Sequence, residues 1–572
     1  MGVSRVLVEK HVPIPLRDGV TTYADVYRPA DGPAMPGIVT RTPYDKEVFG
    51  AAALPVMPSA LKLAERGYAV VVQDTRGRFR SEGEFTPFMT EGPDGYDTVE
   101  WIAAQEWCDG GVGIYGPSYV GATTMLAARE RPPSLKCAIP IITADDYYDG
   151  WTYQGGAYQL GFATLWGMGL ASALYMGRDR GLDPQHLKDL IAASNSAPGS
   201  LGDQPLASIQ GIGNDGIAPW WNDWIVHETR DDYWEPVRLS ADYARLDLPM
   251  FHVGGWFDIF GIGTVRNFQG IGASGSAPQH LFMGPWAHTY YDRYLGEQDF
   301  GPTGSAAFSG LIGKYNQFFD QHLKGVEAGI PTVTYFMMGA NEWRSADTWP
   351  PAEATPQTLY LRSHGNANSL RGDGVLSLTP ASGSEPADRY LYDPERPVPS
   401  EGGPTLQGQV GLPGPRDQRA IESRDDVLCY TSAALETPVI VAGPVKVTLW
   451  AVTDAPDTDF TAKLVDVDPD GRAVSICDGI IRAKFRESFS APTPITPGKP
   501  TRYEIDLAST ALRFAPGHRI RLEISSSNFP RFAPNPNTGG PLASEDSSRP
   551  AVQHLLHDAA HPSSLEIHVL PE

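Results

Sequence analysis

The sequence predicts an α/β chain interrupted by a helical insertion and followed by an all-β region. Two observations carry this reading. First, short β-branched runs alternate with helical patterns over residues 1–145, the alternation stops over 146–240, and it returns over 241–350. Second, residues 351–572 are dense in Pro, Gly, Ser and Thr and carry frequent short alternating strands, the signature of a sandwich or jelly roll.

The elements follow in order. "PGIVTRT", "GYAVVVQD", "VGIYG" and "KCAIPIIT" are apolar runs of strand length, and such runs without strict alternation mark strands buried on both faces of a mostly parallel sheet. Apolar residues at helical spacing predict helices over 61–67, with Gly67 as C-cap, and over 94–105. The 146–240 segment is rich in Tyr, Trp, Gly, Ala and Leu and includes the helical stretch "DPQHLKDLIAASN". Strands return in "LPMFHVGGWFDIF" (248–260) and "QHLFMGPWAHTYY" (279–291), and "FSGLIGKYNQFFDQHLKG" reads as a helix closed by Gly325. In the last region "VKVTLWAVT", "DFTAKLVDVD", "HRIRLEISSS" and "SLEIHVL" read as strands.

Composition narrows the function. The chain has 572 residues, 41% apolar and 20% charged, too long for a single core. Its 45 basic and 68 acidic residues leave a net charge of −23, which opposes nucleic acid and anionic membrane surfaces as partners. The N-terminal stretch "MGVSRVLVEKHVPIPLRDG" offers no apolar run of signal-peptide or anchor length, so the expected location is cytoplasmic. Cys108, Cys137, Cys429 and Cys477 are widely spaced and read as buried free thiols. The 13 histidines show no metal-ligand spacing, and neither a metal nor a cofactor is expected.

Candidate chemistry lies just past the strands, where α/β enzymes build their sites. "GVGIYGPSYVGATTMLAARERPP" places Ser118 on a strand-to-helix turn. Tyr44 follows "GIVTRTP", Asp258 follows "MFHVGGWF" and His288 follows "LFMGPWA". In chain order this is Ser, Asp, His, an order in which a hydroxyl can be activated by an imidazole that a carboxylate orients. The amide of Tyr119 and the phenol of Tyr44 are the candidate oxyanion donors. Each residue has a structural rival reading: Ser118 and Asp258 as helix caps, His288 as a core histidine like His252 or His280, Tyr44 as packing. Asp74, Asp145 and Asp146 also lie at strand ends. The elbow departs from GxSxG, since Val120 stands two places after the serine and Gly121 three.

That variant, "GPSYVG", resembles the elbow of the bacterial cocaine esterase family, relatives of X-prolyl dipeptidyl peptidases and α-amino acid ester hydrolases. "RTPYDK", "GYAVVVQDTRGRFRSEGEF", "GPWAH", "FFDQHLKG", "RDDVLCYTS" and "PGHRIRLEISSSNFPRF" extend the resemblance over nearly the whole chain. It implies an α/β-hydrolase domain split into 1–145 and 241–350, a helical cap domain at 146–240 inserted in it, and a C-terminal β jelly-roll domain at 351–572. It also implies a nucleophile at Ser118, an acid at Asp258, a base at His288 and oxyanion donors at Tyr44 and Tyr119, with Asp74, Arg76 and Gly77 as scaffold for the active-site loops.

Trp151 and Trp166 resemble the aromatic acyl-pocket walls of the esterase members, and Phe260 is placed to join them. Gln407 in "EGGPTLQGQVG" departs from a more apolar loop and argues against strict benzoate-ester specificity. The implied reaction is cleavage of a small carboxylic ester through an acyl-enzyme, and assembly as a homodimer is compatible with the sequence. The alternatives are an amide- or peptide-directed hydrolase of the same family and a non-catalytic ligand- or carbohydrate-binding protein. The peptidase branch needs carboxylates for a substrate ammonium. Asp223, Asp231, Asp232 and Glu235 are candidates that read more simply as solvated charge.

Overall fold

The computed structural model describes residues 5–51, 55–177, 218–406 and 411–571, together with 184–185, 188–189, 191–192, 195, 201–202 and 205–209. The stretch "DPQHLKDLIAASN" lies largely outside the described residues.

Ten strands drawn from both sides of the middle segment make one sheet. They are β1 (Val6–Pro15), β2 (Thr21–Pro29), β3 (Met35–Thr42), β4 (Ala69–Asp74), β5 (Cys108–Pro117), β6 (Leu135–Ile141), β9 (Met250–Phe257), β10 (Gln279–Ala287), β13 (Val333–Met337) and β14 (Glu342–Ala346). Two-residue hairpin strands fall between them, β7 (Tyr153–Gln154) with β8 (Ala157–Tyr158) and β11 (Tyr294–Leu295) with β12 (Gln298–Asp299). The spatial order is β1-β2-β4-β3-β5-β6-β9-β10-β13-β14. From β4 to β13 every neighbouring pair is parallel, and the antiparallel pairs are at the two ends.

Side-chain alternation explains why these runs are apolar throughout. Val39, Val71 and Ile114 pack into one core with helices Glu91–Ala103 and Tyr119–Arg129. Their neighbours Ile38, Val70, Val72 and Tyr115 pack into another with helices Ala60–Glu65 and Leu311–Lys324. A sheet covered on both faces has no polar side to show in its sequence. Helix Glu91–Ala103 begins earlier than the spacing predicts, because Pro93 falls in its first turn, where a missing N–H costs no intrahelical bond.

Between β6 and β9 the chain forms helices Leu160–Gly177 and Pro219–Val226 with short 3-10 turns. Trp151, Trp166, Trp221, Trp224 and Trp234 of this segment are buried and join the core that contains helix Tyr119–Arg129. Beyond β14 eleven strands between Thr355 and Leu570 form a second, predominantly antiparallel sheet. Its longest strand, Val439–Thr453, pairs with Thr501–Phe514 on one side and with Ala551–Leu556 and Ser564–Leu570 on the other. The core of this sheet is continuous with Trp256, Phe257 and Tyr335 of the first. Arg266 ties the parts together, at 2.9 Å from Asp149 and 3.1 Å from Asp506. The four cysteines are free and buried. Among the described residues no helix is long and apolar enough to cross a membrane.

Candidate active site

Parallel strands end at one edge, and β3, β5, β9 and β10 are followed there by Tyr44, Ser118, Asp258 and His288. Ser118 sits between β5 and helix Tyr119–Arg129 with φ 58° and ψ −126°, a conformation strained for any residue with a side chain. Its amide donates to the Ile141 carbonyl of β6 at 2.9 Å, which holds the turn in place.

Sterics explain the departure from GxSxG. A Cβ on Gly116 would come 2.2 Å from Val120 Cγ1, so the glycine before the turn makes room for a branched side chain two places after the serine. The close approach of helix to sheet falls at Gly121, where a Cβ would lie 2.8 Å from Thr143 Cβ and 3.0 Å from the Ile141 carbonyl oxygen. The second glycine is therefore required three places on rather than two.

The three polar side chains form one hydrogen-bonded chain. His288 Nε2 is 2.8 Å from Ser118 Oγ, and His288 Nδ1 is 3.0 Å from Asp258 Oδ2. With the carboxylate accepting from Nδ1–H, Nε2 carries the lone pair and faces the serine hydroxyl. Asp258 Oδ1 accepts the Phe260 amide at 2.6 Å, which fixes the carboxylate plane. The bulge between Gly284 and Ala287 in the β9–β10 register helps aim His288. There the Trp286 ring folds so close over Gly284 that a Cβ would lie 2.4 Å from it.

Tyr44 and Tyr119 flank the serine. The Tyr44 loop is anchored at three points. Its own amide donates to Thr42 Oγ1 at 3.0 Å, Arg78 Nε donates to the Pro43 carbonyl at 2.9 Å, and the Lys46 amide donates to Asp74 Oδ1 at 2.7 Å. Burial pushes the Tyr44 phenol up to about 12 and Asp74 up to about 7. The Tyr44 phenol accepts the Trp166 indole N–H at 3.0 Å. The Tyr119 phenol points away, donating to Glu91 Oε1 at 2.9 Å and accepting the Phe88 amide at 2.9 Å. Its backbone N–H opens a helix, where no intrahelical acceptor exists. Of the other scaffold residues, Arg76 pairs with Asp94 at 2.7 Å, and a Cβ on Gly77 would lie 2.2 Å from the Phe85 amide nitrogen.

The aromatic residues converge on the same place. Trp151 stacks on Phe260 with centroids 4.0 Å apart and planes at 7°, and Trp166 stands 5.4 Å from Trp151. Trp224, Phe162 and Phe88 extend the cluster. Nothing in their spacing distinguished these three, or Arg78, from ordinary core residues. Gln407 lies outside the described residues.

The rival residues are engaged elsewhere. His252 bonds Gln279 at 3.0 Å and burial lowers its pKa to about 4, while His280 bonds the Pro331 carbonyl at 2.9 Å. Asp146 pairs with Arg230, Asp231 with His227 and Glu235 with Arg238, while Asp223 and Asp232 are exposed. Among the described residues no group of three His, Cys, Asp or Glu side chains is placed to hold a metal.

A second Ser–His–carboxylate group occurs in the C-terminal sheet. His557 Nε2 is 3.0 Å from both Ser363 Oγ and Asp388 Oδ2, and Nδ1 is 3.0 Å from Glu385. Here both imidazole nitrogens face carboxylates and the group is buried. Desolvation opposes the charge, but Asp388 and Glu385 outweigh it and raise the His557 pKa. Ser363 Oγ is also the donor to Asp388 Oδ1 and Oδ2, each at 2.8 Å, so the hydroxyl proton is directed at a carboxylate rather than at the imidazole.

Two family models match the chain. Residues 18–290 match the model of the X-Pro dipeptidyl-peptidase (S15 family), and residues 324–566 match the X-Pro dipeptidyl-peptidase C-terminal non-catalytic domain. Cocaine esterase from Rhodococcus sp. (strain MB1 Bresler) is 40% identical over 98% of each chain. An α-amino acid ester hydrolase superposes with a TM-score of 0.81 at 26% identity, covering 99% of this chain and 97% of the other. An aminopeptidase from a marine-sediment Thaumarchaeota archaeon superposes with a TM-score of 0.82 at 25% identity, covering 100% and 97%. Fold and relatives define a serine ester hydrolase. The chain belongs to the X-Pro dipeptidyl-peptidase (S15) family, in the group that contains cocaine esterase.

Proposed function

We propose that the protein cleaves small carboxylic esters through an acyl-enzyme on Ser118. We further propose an α/β-hydrolase domain at 1–145 and 241–350, a helical cap domain at 146–240 and a jelly-roll domain at 351–572. The single observation that carries the mechanism is the chain Ser118 Oγ, His288 Nε2, His288 Nδ1, Asp258 Oδ2, with links of 2.8 and 3.0 Å.

In this reading the Ser118 proton passes to His288 Nε2 as Oγ bonds to the ester carbonyl carbon. Asp258 stabilises the imidazolium that forms. The carbonyl oxygen becomes an oxyanion, received by the Tyr119 amide and the Tyr44 phenol. The tetrahedral intermediate then expels the alkoxide, which takes the proton from Nε2–H as it leaves. Water repeats the sequence on the acyl-enzyme, giving the acid and restoring the serine. Trp151, Trp166 and Phe260 supply the apolar side of the acyl pocket.

Ester cleavage is favoured over aminoacyl or peptide cleavage because the carboxylates considered for an ammonium site are exposed or already engaged by His227 or Arg238. A panel of acyl esters, aminoacyl esters and matching amides, ranked by kcat/KM, tests this. Simple acyl esters should lead, and preference for aminoacyl substrates with a free ammonium would reject the assignment.

A further inference from the structure

The hydrogen bond between Trp166 and Tyr44 joins two residues that the sequence assigns to different tasks. An indole N–H can only donate, so in the 3.0 Å contact Trp166 is the donor and the Tyr44 oxygen the acceptor. A phenol has one proton. With the indole on its acceptor side, that proton is directed elsewhere, and the parallel pairing of β3 with β5 brings Tyr44 and Ser118, which follow those strands, to the same sheet edge. A hydroxyl that accepts one hydrogen bond is also a stronger donor of its own.

The surroundings hold this arrangement. Trp166 is fixed in helix Leu160–Gly177 between Trp224, parallel to it within 4° at 5.7 Å, and Phe162, at 20° and 5.7 Å. Arg78 bonds the backbone beside each partner, donating from Nε to the carbonyl of Pro43, next to Tyr44, at 2.9 Å and from Nη1 to the carbonyl of Leu170, one turn along the helix from Trp166, at 3.0 Å. The loop that carries Tyr44 and the helix that carries Trp166 are thereby tied at one buried guanidinium. Burial raises the phenol to about 12, so it keeps its proton at neutral pH.

We propose that Trp166 is a positioning residue for the oxyanion hole: its indole N–H commits the Tyr44 hydroxyl proton to the oxygen of the reacting carbonyl. The segment between β6 and β9 then contributes to transition-state stabilisation and not only to the shape of the acyl pocket. This rests on the proposed role of Tyr44 as oxyanion donor.

The test is a double-mutant cycle of Trp166→Phe and Tyr44→Phe, measured with an acetyl and a benzoyl ester of the same alcohol. Phenylalanine keeps an aromatic ring and removes the N–H. The expected result is a fall in kcat of about 2- to 12-fold, the range of one neutral hydrogen bond. The fall in kcat should appear with both acyl groups, with KM for the small acetyl ester little changed and no further loss of kcat when Tyr44→Phe is already present. If Trp166→Phe does not fold, replacement of Trp166 by its benzothienyl isostere, which exchanges only N–H for sulfur, should give the same pattern.

An unchanged kcat, a loss confined to the benzoyl ester, or losses that multiply with those of Tyr44→Phe would overturn the proposal and leave Trp166 as a pocket wall. A fully active Tyr44→Phe would instead remove the assigned donor, and the inference with it. Labelling of Ser118 by a phosphonate in each variant shows separately whether the nucleophile assignment stands.

Discussion

The ring of Phe260 stands edge-on to the imidazole of His288, with centroids 5.1 Å apart and planes at 88°. The same residue donates its amide to Asp258 and stacks its other side on Trp151. Phe260 therefore braces both His288 and Asp258. Phe260→Ala should lower stability by about 3 to 5 kcal/mol, the usual cost of emptying a buried phenylalanine site. It should also reduce kcat by up to about 10²-fold as the imidazole loses its side support. Chemical unfolding and steady-state kinetics check the two effects, and wild-type kcat in a folded variant would show that Asp258 alone orients His288.

Ser118→Ala should lower kcat by a factor on the order of 10³ to 10⁶, leaving the residue supplied by binding and the oxyanion donors. Phosphonate labelling followed by peptide mapping should mark Ser118 alone. A variant retaining a tenth of the activity would reject Ser118 as nucleophile.

Tyr44→Phe removes one hydroxyl and keeps the ring. It should reduce kcat and kcat/KM by about 10² to 10³ with little change in substrate affinity. Because burial raises the phenol to about 12, ionisation of Tyr44 should cause no loss of activity between about pH 8 and about 10. A descending limb there that is present in the wild type and absent in Tyr44→Phe would contradict the buried, protonated phenol.

His557 gives the C-terminal sheet a pH dependence of known sign. Its pKa is raised in the folded state, so its contribution is complete below the unfolded value of about 6.5 and is lost as the pH rises through the raised value. The carboxylates act at the other end. Burial works against ionised Asp388, but bonds from His557, Tyr430, the Ala367 amide and Ser363 together hold its pKa down, so its contribution is lost on acidification below about pH 3.8. His557→Leu strands Asp388 without its cation and should destabilise by about 3 to 5 kcal/mol, measured by urea unfolding near pH 6. An equally stable variant would show that Tyr430 and Ser363 suffice.

Prolonged EDTA treatment should leave ester turnover unchanged. Loss of activity that zinc restores would overturn the cofactor-free mechanism.

Much of this was legible in the chain because the signals are local. Each of Tyr44, Ser118, Asp258 and His288 closes a strand-length apolar run, and position after a strand can be read without knowing what the strand touches. The contact of Trp166 with Tyr44 spans 122 residues, and a tryptophan that donates to a phenol has the same local sequence as one that fills a core. Arg78 lies in the "QDTRGRFR" stretch read as scaffold, yet only its side-chain bonds to Pro43 and Leu170 separate it from the neighbouring Arg76, which pairs with Asp94 and Asp18. The early start of helix Glu91–Ala103 was hidden by Gly92 and Pro93, which read as breakers and are tolerated in a first turn.

The separation of 170 residues between Ser118 and His288 also sets a clock on synthesis. At elongation rates of about 5 to 20 residues per second, Ser118 is made roughly 10 to 30 s before His288. Throughout that interval its hydroxyl is no more reactive than that of any other serine. On the proposed mechanism hydrolytic power arrives late and all at once, after β10 has docked beside β9, so a truncated or stalled nascent chain would lack the means to attack the esters around it.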